Sequence, residues 1–151
     1  MAIALTPFLA LCGFLPIDRI VSHLEVVPEF AGLIPDKLRQ TFIVSASPHA
    51  TSTETRNALR ELFSSLMTAE ESRFVPALKM LVERYREGRV NETENGLADL
   101  VMRLNDQFPG DIGVFCPFML NYVRLEKGEA VFLGAGEPHA YVSGGRGQKW
   151  K

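Results

Sequence analysis

The sequence predicts an α+β fold, a helical block of about four helices flanked on both sides by β-strands. Three observations predict it. Residues 1–17 (MAIALTPFLALCGFLPI) carry no charge and are broken by Pro7, Gly13 and Pro16, the pattern of a buried strand and turn. Apolar residues then recur at helical spacing as far as Pro109-Gly110. After Gly110 the chain turns β-branched and aromatic with few charges. Helices set between β segments suggest an insertion in a β protein.

The elements follow in order. Pro16 suits a first helical turn, where its missing N–H has no intrahelical partner. Ile17, Ile20, Val21 and Leu24 then fall at i, i+3, i+4 and i+7, one apolar face that Pro28 ends. His23 reads as lying on the polar side of that stripe. Residues 28–50 read as irregular, with a short helix around Asp36–Phe42. Ser52 to Met67 is a stronger helix, with Leu59, Leu62, Phe63 and Leu66 on its stripe. Thr68 and Glu71 have capping-box spacing for the next helix. That helix carries Phe74, Leu78, Leu81, Val82 and Tyr85, accommodates Pro76 in an early turn or a kink, and stops at Gly88. Asn91 is placed to cap a fourth helix with Leu97, Leu100, Val101 and Leu104 inward. Gly113–Leu125 (GVFCPFMLNYVRL) reads as a strand, with Pro117 marking an edge or bulge. Ala130–Leu133 and His139–Val142 read as two further strands, and the Gly-rich, basic stretch 143–151 as a mobile tail. The expected divisions are 1–15, 16–109, 110–142 and 143–151. The strands are too few to close a sheet, so an edge is left open.

Composition narrows the function classes. The 151 residues are 46% hydrophobic and 23% charged, ordinary globular values. Sixteen Lys and Arg against 18 Asp and Glu give a net charge of −2, which offers no basic excess for nucleic acid. Residues 1–17 lack the basic start of a signal peptide and are too interrupted for a membrane span. Two cysteines, Cys12 and Cys116, build no disulfide framework and fit a reducing, cytoplasmic setting.

The chemistry-bearing residues are sparse. His139 sits in Gly-Glu-Pro-His-Ala-Tyr at a strand entry after a Gly-rich loop. On the residues alone it reads first as a histidine packed at a strand end, with a zinc ligand as the alternative. No H-x-H, H-x-x-x-H or C-x-x-C accompanies it. Cys12, Cys116, His23 and His49 are scattered and read as structural or surface groups. Glu129 and Glu137 flank a strand, where an acid–base pair is conceivable and a polar turn is the simpler reading. Phosphate-cradling loops and the G-x-S-x-G elbow are missing from the sequence.

Three separated stretches carry a resemblance. They are Met1-Ala-Ile-Ala-Leu-Thr-Pro-Phe8 with Leu11-Cys-Gly-Phe14, Phe108-Pro-Gly-Asp-Ile-Gly113, and Gly128-Glu-Ala-Val-Phe-Leu133 with Pro138-His-Ala-Tyr141. In order and spacing this resembles the type I mannose-6-phosphate isomerases, zinc enzymes of the cupin type that carry a helical insert. The resemblance covers residues 1–144. It implies that the strands belong to an incomplete cupin-like jelly-roll barrel. It implies the interconversion of mannose 6-phosphate and fructose 6-phosphate, by a zinc-assisted proton transfer between C1 and C2 through an enediol, in the supply of GDP-mannose. Partners would be those sugar phosphates, without nucleic acid or membrane, and the full-length enzyme would be a monomer.

The same resemblance assigns His139 as a zinc ligand and Tyr141 as a residue lining the sugar pocket. The family's other ligands are a Gln-x-His pair and the Glu of an Asn-His-Lys-Pro-Glu run, and these motifs do not occur in the 151 residues. Its catalytic arginine follows a Glu-x-Met-Ala-x-Ser-Asp-Asn segment that is also missing, so Arg146 is not matched to it. With one ligand of four and no catalytic residue, these residues are expected to show little or no isomerase activity alone. They read as an internal piece of a longer enzyme, with 145–151 divergent. The alternative is a non-catalytic helical interaction module, suggested by the helical block, the open β edge and the incomplete metal site.

Overall fold

The computed structural model describes residues 2–3, 8–47, 51–126, 128, 130–131 and 139–143. They fall into two compact units, one formed by residues 1–15 with 119–151 and the other by Pro16–Phe118.

The first unit is β. Strands β1 (Ala2–Ile3) and β4 (Ala130–Val131) pair antiparallel. Strand β2 (Phe8–Phe14) lies between β3 (Leu120–Leu125) and β5 (His139–Ser143), antiparallel to both. Leu11 is paired with Tyr122 and Phe14 with Leu120, with a register shift between Leu11 and Phe14. Gly13 stands in that shift at φ 68, a left-handed conformation that a glycine adopts without a steric penalty. Beyond the shift, Asn121 Nδ2 donates to the Phe14 carbonyl at 2.8 Å and the Leu15 amide to Met119 at 2.8 Å. Among the described residues β3 and β5 are the sheet's edges.

The second unit is helical. It contains α1 (Ile17–Val26), α2 (Pro28–Ala31), α3 (Asp36–Ser45), α4 (Ser52–Met67), α5 (Glu71–Arg86) and α6 (Ala98–Gln107). Two 3-10 segments, Glu92–Glu94 and Ile112–Phe118, lie either side of α6. The described count of six α-helices corrects the expected four. Pro28 ends α1 as read, but it also opens α2 at the first helical position, where proline is favoured. The short third helix runs on to Ser45.

Ser52–Met67 forms as read, and Leu59, Leu62 and Leu66 are buried. Its capping box is Thr51 with Glu54: the Glu54 amide donates to Thr51 Oγ1 at 3.1 Å and the Thr51 amide to Glu54 Oε2 at 3.2 Å. The box expected at Thr68 and Glu71 does not form. Thr68 closes α4 instead, its hydroxyl donating to the Ser64 carbonyl at 2.7 Å, and α5 starts without a side-chain cap. Pro76 sits inside α5, and Gly88 at φ 79 ends it. Asn91 caps the 3-10 turn Glu92–Glu94 rather than an α-helix, and α6 starts at Ala98.

The largest correction is at Gly113–Leu125, read as one strand. Residues Ile112–Phe118 form a 3-10 segment and the strand starts at Leu120. Every residue from Gly113 to Phe118 is buried, so the run has no polar alternation to reveal its period. Asp111 Oδ1 accepts the Gly113 amide at 3.2 Å and turns the chain into that segment. The segment supplies the centre of the unit's core. Phe30 stacks on Phe118 at 5.3 Å, and Phe115 lies 6.4 Å from the same ring. Phe42, Leu62, Leu66, Leu81 and Leu104 are buried with them, each contributing about 1.5–3 kcal/mol relative to exposure.

Candidate functional site

His139 and Tyr141 are placed by β5. Their backbone partners on β2 are Cys12 and Ala10. Positions two apart in a strand share a face, so positions 139, 141, 10 and 12 fall on one face of this sheet. Ala10 is in turn paired with Val123 on β3. Strand β5 thus carries the histidine and the tyrosine singled out from the sequence, two positions apart. Of the other candidates, Cys116 is in the 3-10 segment and His23 on α1, both in the helical unit. His49, Glu129 and Glu137 lie outside the described residues, as does the stretch 144–151.

His23 is a correction. The spacing places it on the polar side of the α1 stripe, yet it is completely buried. It lies three residues after Ile20 and next to Leu24, so helical geometry turns it inward with them. Cys116 is also fully buried, with Sγ 3.8 Å from Met67 Sδ, and burial pushes its thiol well up. Neither it nor His23 is presented to a substrate. Among the described residues no group of three or more His, Cys, Asp and Glu could hold a metal ion. A catalytic zinc needs about three protein ligands, so the described residues do not fit a zinc centre by themselves.

Sequence reasoning missed the most concentrated set of charges. Arg84 on α5 reaches Glu29 of α2 and Glu94 of the 3-10 turn. Nε donates to Glu29 Oε1 at 2.7 Å and Nη2 to Glu29 Oε2 at 3.2 Å. Nη1 and Nη2 each reach a Glu94 oxygen at 2.7 Å, and Nη1 also donates to the Arg89 carbonyl at 2.9 Å. That occupies all five N–H donors of a guanidinium. Tyr85 donates its hydroxyl to Glu94 Oε2, and Asn91 Nδ2 donates to Glu94 Oε1 at 2.5 Å and to the Val26 carbonyl at 3.2 Å. The Glu29 and Glu94 side chains are 6% and 0% exposed.

Burial alone would raise the Glu94 carboxyl, but hydrogen bonds from Arg84 and Tyr85 and the charge of Arg84 outweigh it and hold it below the usual range. The bond to Glu94 raises Arg84 in turn, and burial and the same carboxylate raise Tyr85. A cluster so fully satisfied offers no free base or acid. It ties α2, α5, the 3-10 turn and the end of α1 together. The one legible hint was the Asn91-x-x-Glu94 spacing, where Asn91 Oδ1 accepts the Glu94 amide at 3.0 Å.

Comparison with known proteins decides the family. Residues 33–120 match the family described as phosphomannose isomerase type I, helical insertion domain. The chain belongs to the type I phosphomannose isomerases. It is 42% identical over 160 residues to mannose-6-phosphate isomerase of Cryptococcus neoformans, covering 95% of this chain and 37% of that protein. The human mannose-6-phosphate isomerase is 43% identical over 150 residues, covering 95% and 34%. Among solved structures, a zinc-bound mannose 6-phosphate isomerase superposes with a TM-score of 0.65 at 30% identity over 94% of this chain and 32% of the other. A variant of the Salmonella typhimurium phosphomannose isomerase gives 0.65 at 31% identity, with the same coverage. The chain therefore spans about a third of the length of the relatives it matches. Among the described residues no helix is long and apolar enough to cross a membrane.

Proposed function

We propose that these residues serve the interconversion of mannose 6-phosphate and fructose 6-phosphate, as part of a cytoplasmic, monomeric isomerase that supplies GDP-mannose. The observation that carries this reading is the match to the helical insertion domain at residues 33–120, set within a similarity to named mannose-6-phosphate isomerases over 95% of the chain. On this reading the β unit is part of a cupin-like barrel. His139 on β5 is one zinc ligand, and Tyr141, two positions on, lines the sugar pocket. The shared face given by the strand register supports placing both at one site.

The metal itself needs ligands beyond His139, and the described residues do not supply them. No step through zinc is assigned to this chain. Its contribution is positional: a histidine and a tyrosine two positions apart on a paired strand, and a helical unit braced through Arg84.

The test is an exchange. Residues 1–143 replace the matching stretch of the Cryptococcus neoformans relative, and the purified chimera is assayed on mannose 6-phosphate. Turnover comparable to the parent supports the reading. A chimera that folds and binds zinc yet leaves mannose 6-phosphate unchanged overturns it.

A further inference from the structure

His23 carries a second story, independent of the isomerase reading. Its Nδ1 lies 2.8 Å from the Phe118 carbonyl oxygen. A carbonyl only accepts, so Nδ1 holds the proton and Nε2 of the neutral ring holds a lone pair. Nε2 is buried and has no hydrogen-bond partner among the described residues. The Phe118 ring stands edge-on to the imidazole, 5.5 Å away at 71°. Pro16 and Phe118 are the first and last residues of the helical unit. The His23 bond therefore joins the unit's first helix to its final residue, 95 positions along the chain.

A proton on Nε2 would create a charged N–H with nothing to accept it, and uncompensated burial of charge is costly. The charges around the ring do not relieve this. Arg19, one turn earlier on α1, opposes protonation. Glu94, on the 3-10 turn packed against α1, favours it but is already engaged by Arg84. Glu29 of α2 is likewise committed to Arg84. The 3-10 segment contributes the Phe118 carbonyl, which favours the proton. Burial outweighs these, and His23 is held below 6.5.

We propose that His23 is an acid-sensitive latch: neutral and protonated at Nδ1, it fastens Phe118 to α1 and closes the helical unit, and a proton at Nε2 releases that closure. Because the folded ring binds its proton more weakly than the unfolded one, the unfolded chain takes up the proton first as pH falls. The latch contributes fully above 6.5 and loses its contribution as pH falls below that value. Glu94 is held below the ordinary 4.5, so its own loss comes at lower pH.

The experiment compares urea unfolding of the 151-residue chain and its His23→Phe variant between about pH 7.5 and about pH 5.5, followed by helical circular dichroism. Phenylalanine keeps the ring against Phe118 and removes the titrating nitrogen. For the native chain the folded-to-unfolded ratio should fall more steeply than in the variant, by up to about tenfold per pH unit for the one extra proton. Nitrogen NMR of the native chain provides a reading that does not need the variant to fold. It should show Nδ1–H at His23 and a titration midpoint below 6.5. An Nε2–H tautomer, a midpoint at or above that value, or equal pH slopes in the two proteins overturns the proposal.

Discussion

Replacing Arg84 with methionine tests the idea that one guanidinium braces the helical unit. The substitution keeps an unbranched chain and removes all five donated bonds, leaving Glu29 and Glu94 buried without a cation. Summing those bonds at the charge-assisted value of about 1.5–3 kcal/mol each would overstate the loss, because one group makes them all. Glu94 also keeps Tyr85 and Asn91. A proton offers the stranded Glu94 relief, at about 1.4 kcal/mol per pH unit above the ordinary carboxyl value. From 4.5 to neutral pH that limits the cost at Glu94 to about 3.4 kcal/mol. The expected loss is therefore about 3–5 kcal/mol at pH 7, in line with other broken buried pairs. With a urea dependence of about 1–3 kcal/mol per molar, the midpoint should drop by at least about 1 M. The deficit should shrink as pH falls, because the relieving proton becomes easier to acquire. Urea titrations of helical circular dichroism at two pH values read both effects. A loss below about 1 kcal/mol, the scale of a surface ion pair, or a deficit independent of pH, would refute the bracing role.

Three further outcomes follow from the described geometry. Thr51→Ala should destabilise the helical unit by about 0.5–2 kcal/mol in chemical unfolding, and Thr68→Ala by less, since only Thr51 completes a capping box; equal losses would contradict that assignment. Cys116 should resist alkylation in the folded chain and react once urea unfolds it, read by peptide mass spectrometry, because it is fully buried with a raised thiol. Purified alone, the 151 residues should show substoichiometric zinc and no measurable turnover of mannose 6-phosphate in a coupled assay; turnover near that of a complete enzyme would contradict the ligand assignment.

What was legible in the sequence follows a physical pattern. Ser52–Met67 has one wet face and one dry face, so its period announced itself and its bounds were read correctly. Ile112–Phe118 is dry on every side, so apolar content hid whether it was helix or strand. Two stretches had the same capping-box spacing, Thr51 to Glu54 and Thr68 to Glu71. Only the first forms, because just three residues separate α4 from α5 and Thr68 is held by the Ser64 carbonyl. His23 is inward despite its polar ring, because i+3 from Ile20 is an inward site on α1. The Arg84 cluster joins residues up to 65 positions apart, and no local pattern encodes such a meeting. At the candidate site, the roles of His139 and Tyr141 rest on motif resemblance alone, and the strand register gives the two positions a common face.

Zinc ligation by His139 is proposed from the family resemblance. The most direct measurement is metal content and turnover of the Cryptococcus neoformans chimera with and without His139→Ala. About one zinc per chain and isomerisation are expected in the first protein, and loss of both in the second, with the helical signal unchanged. Retention of zinc and turnover after the substitution would contradict it.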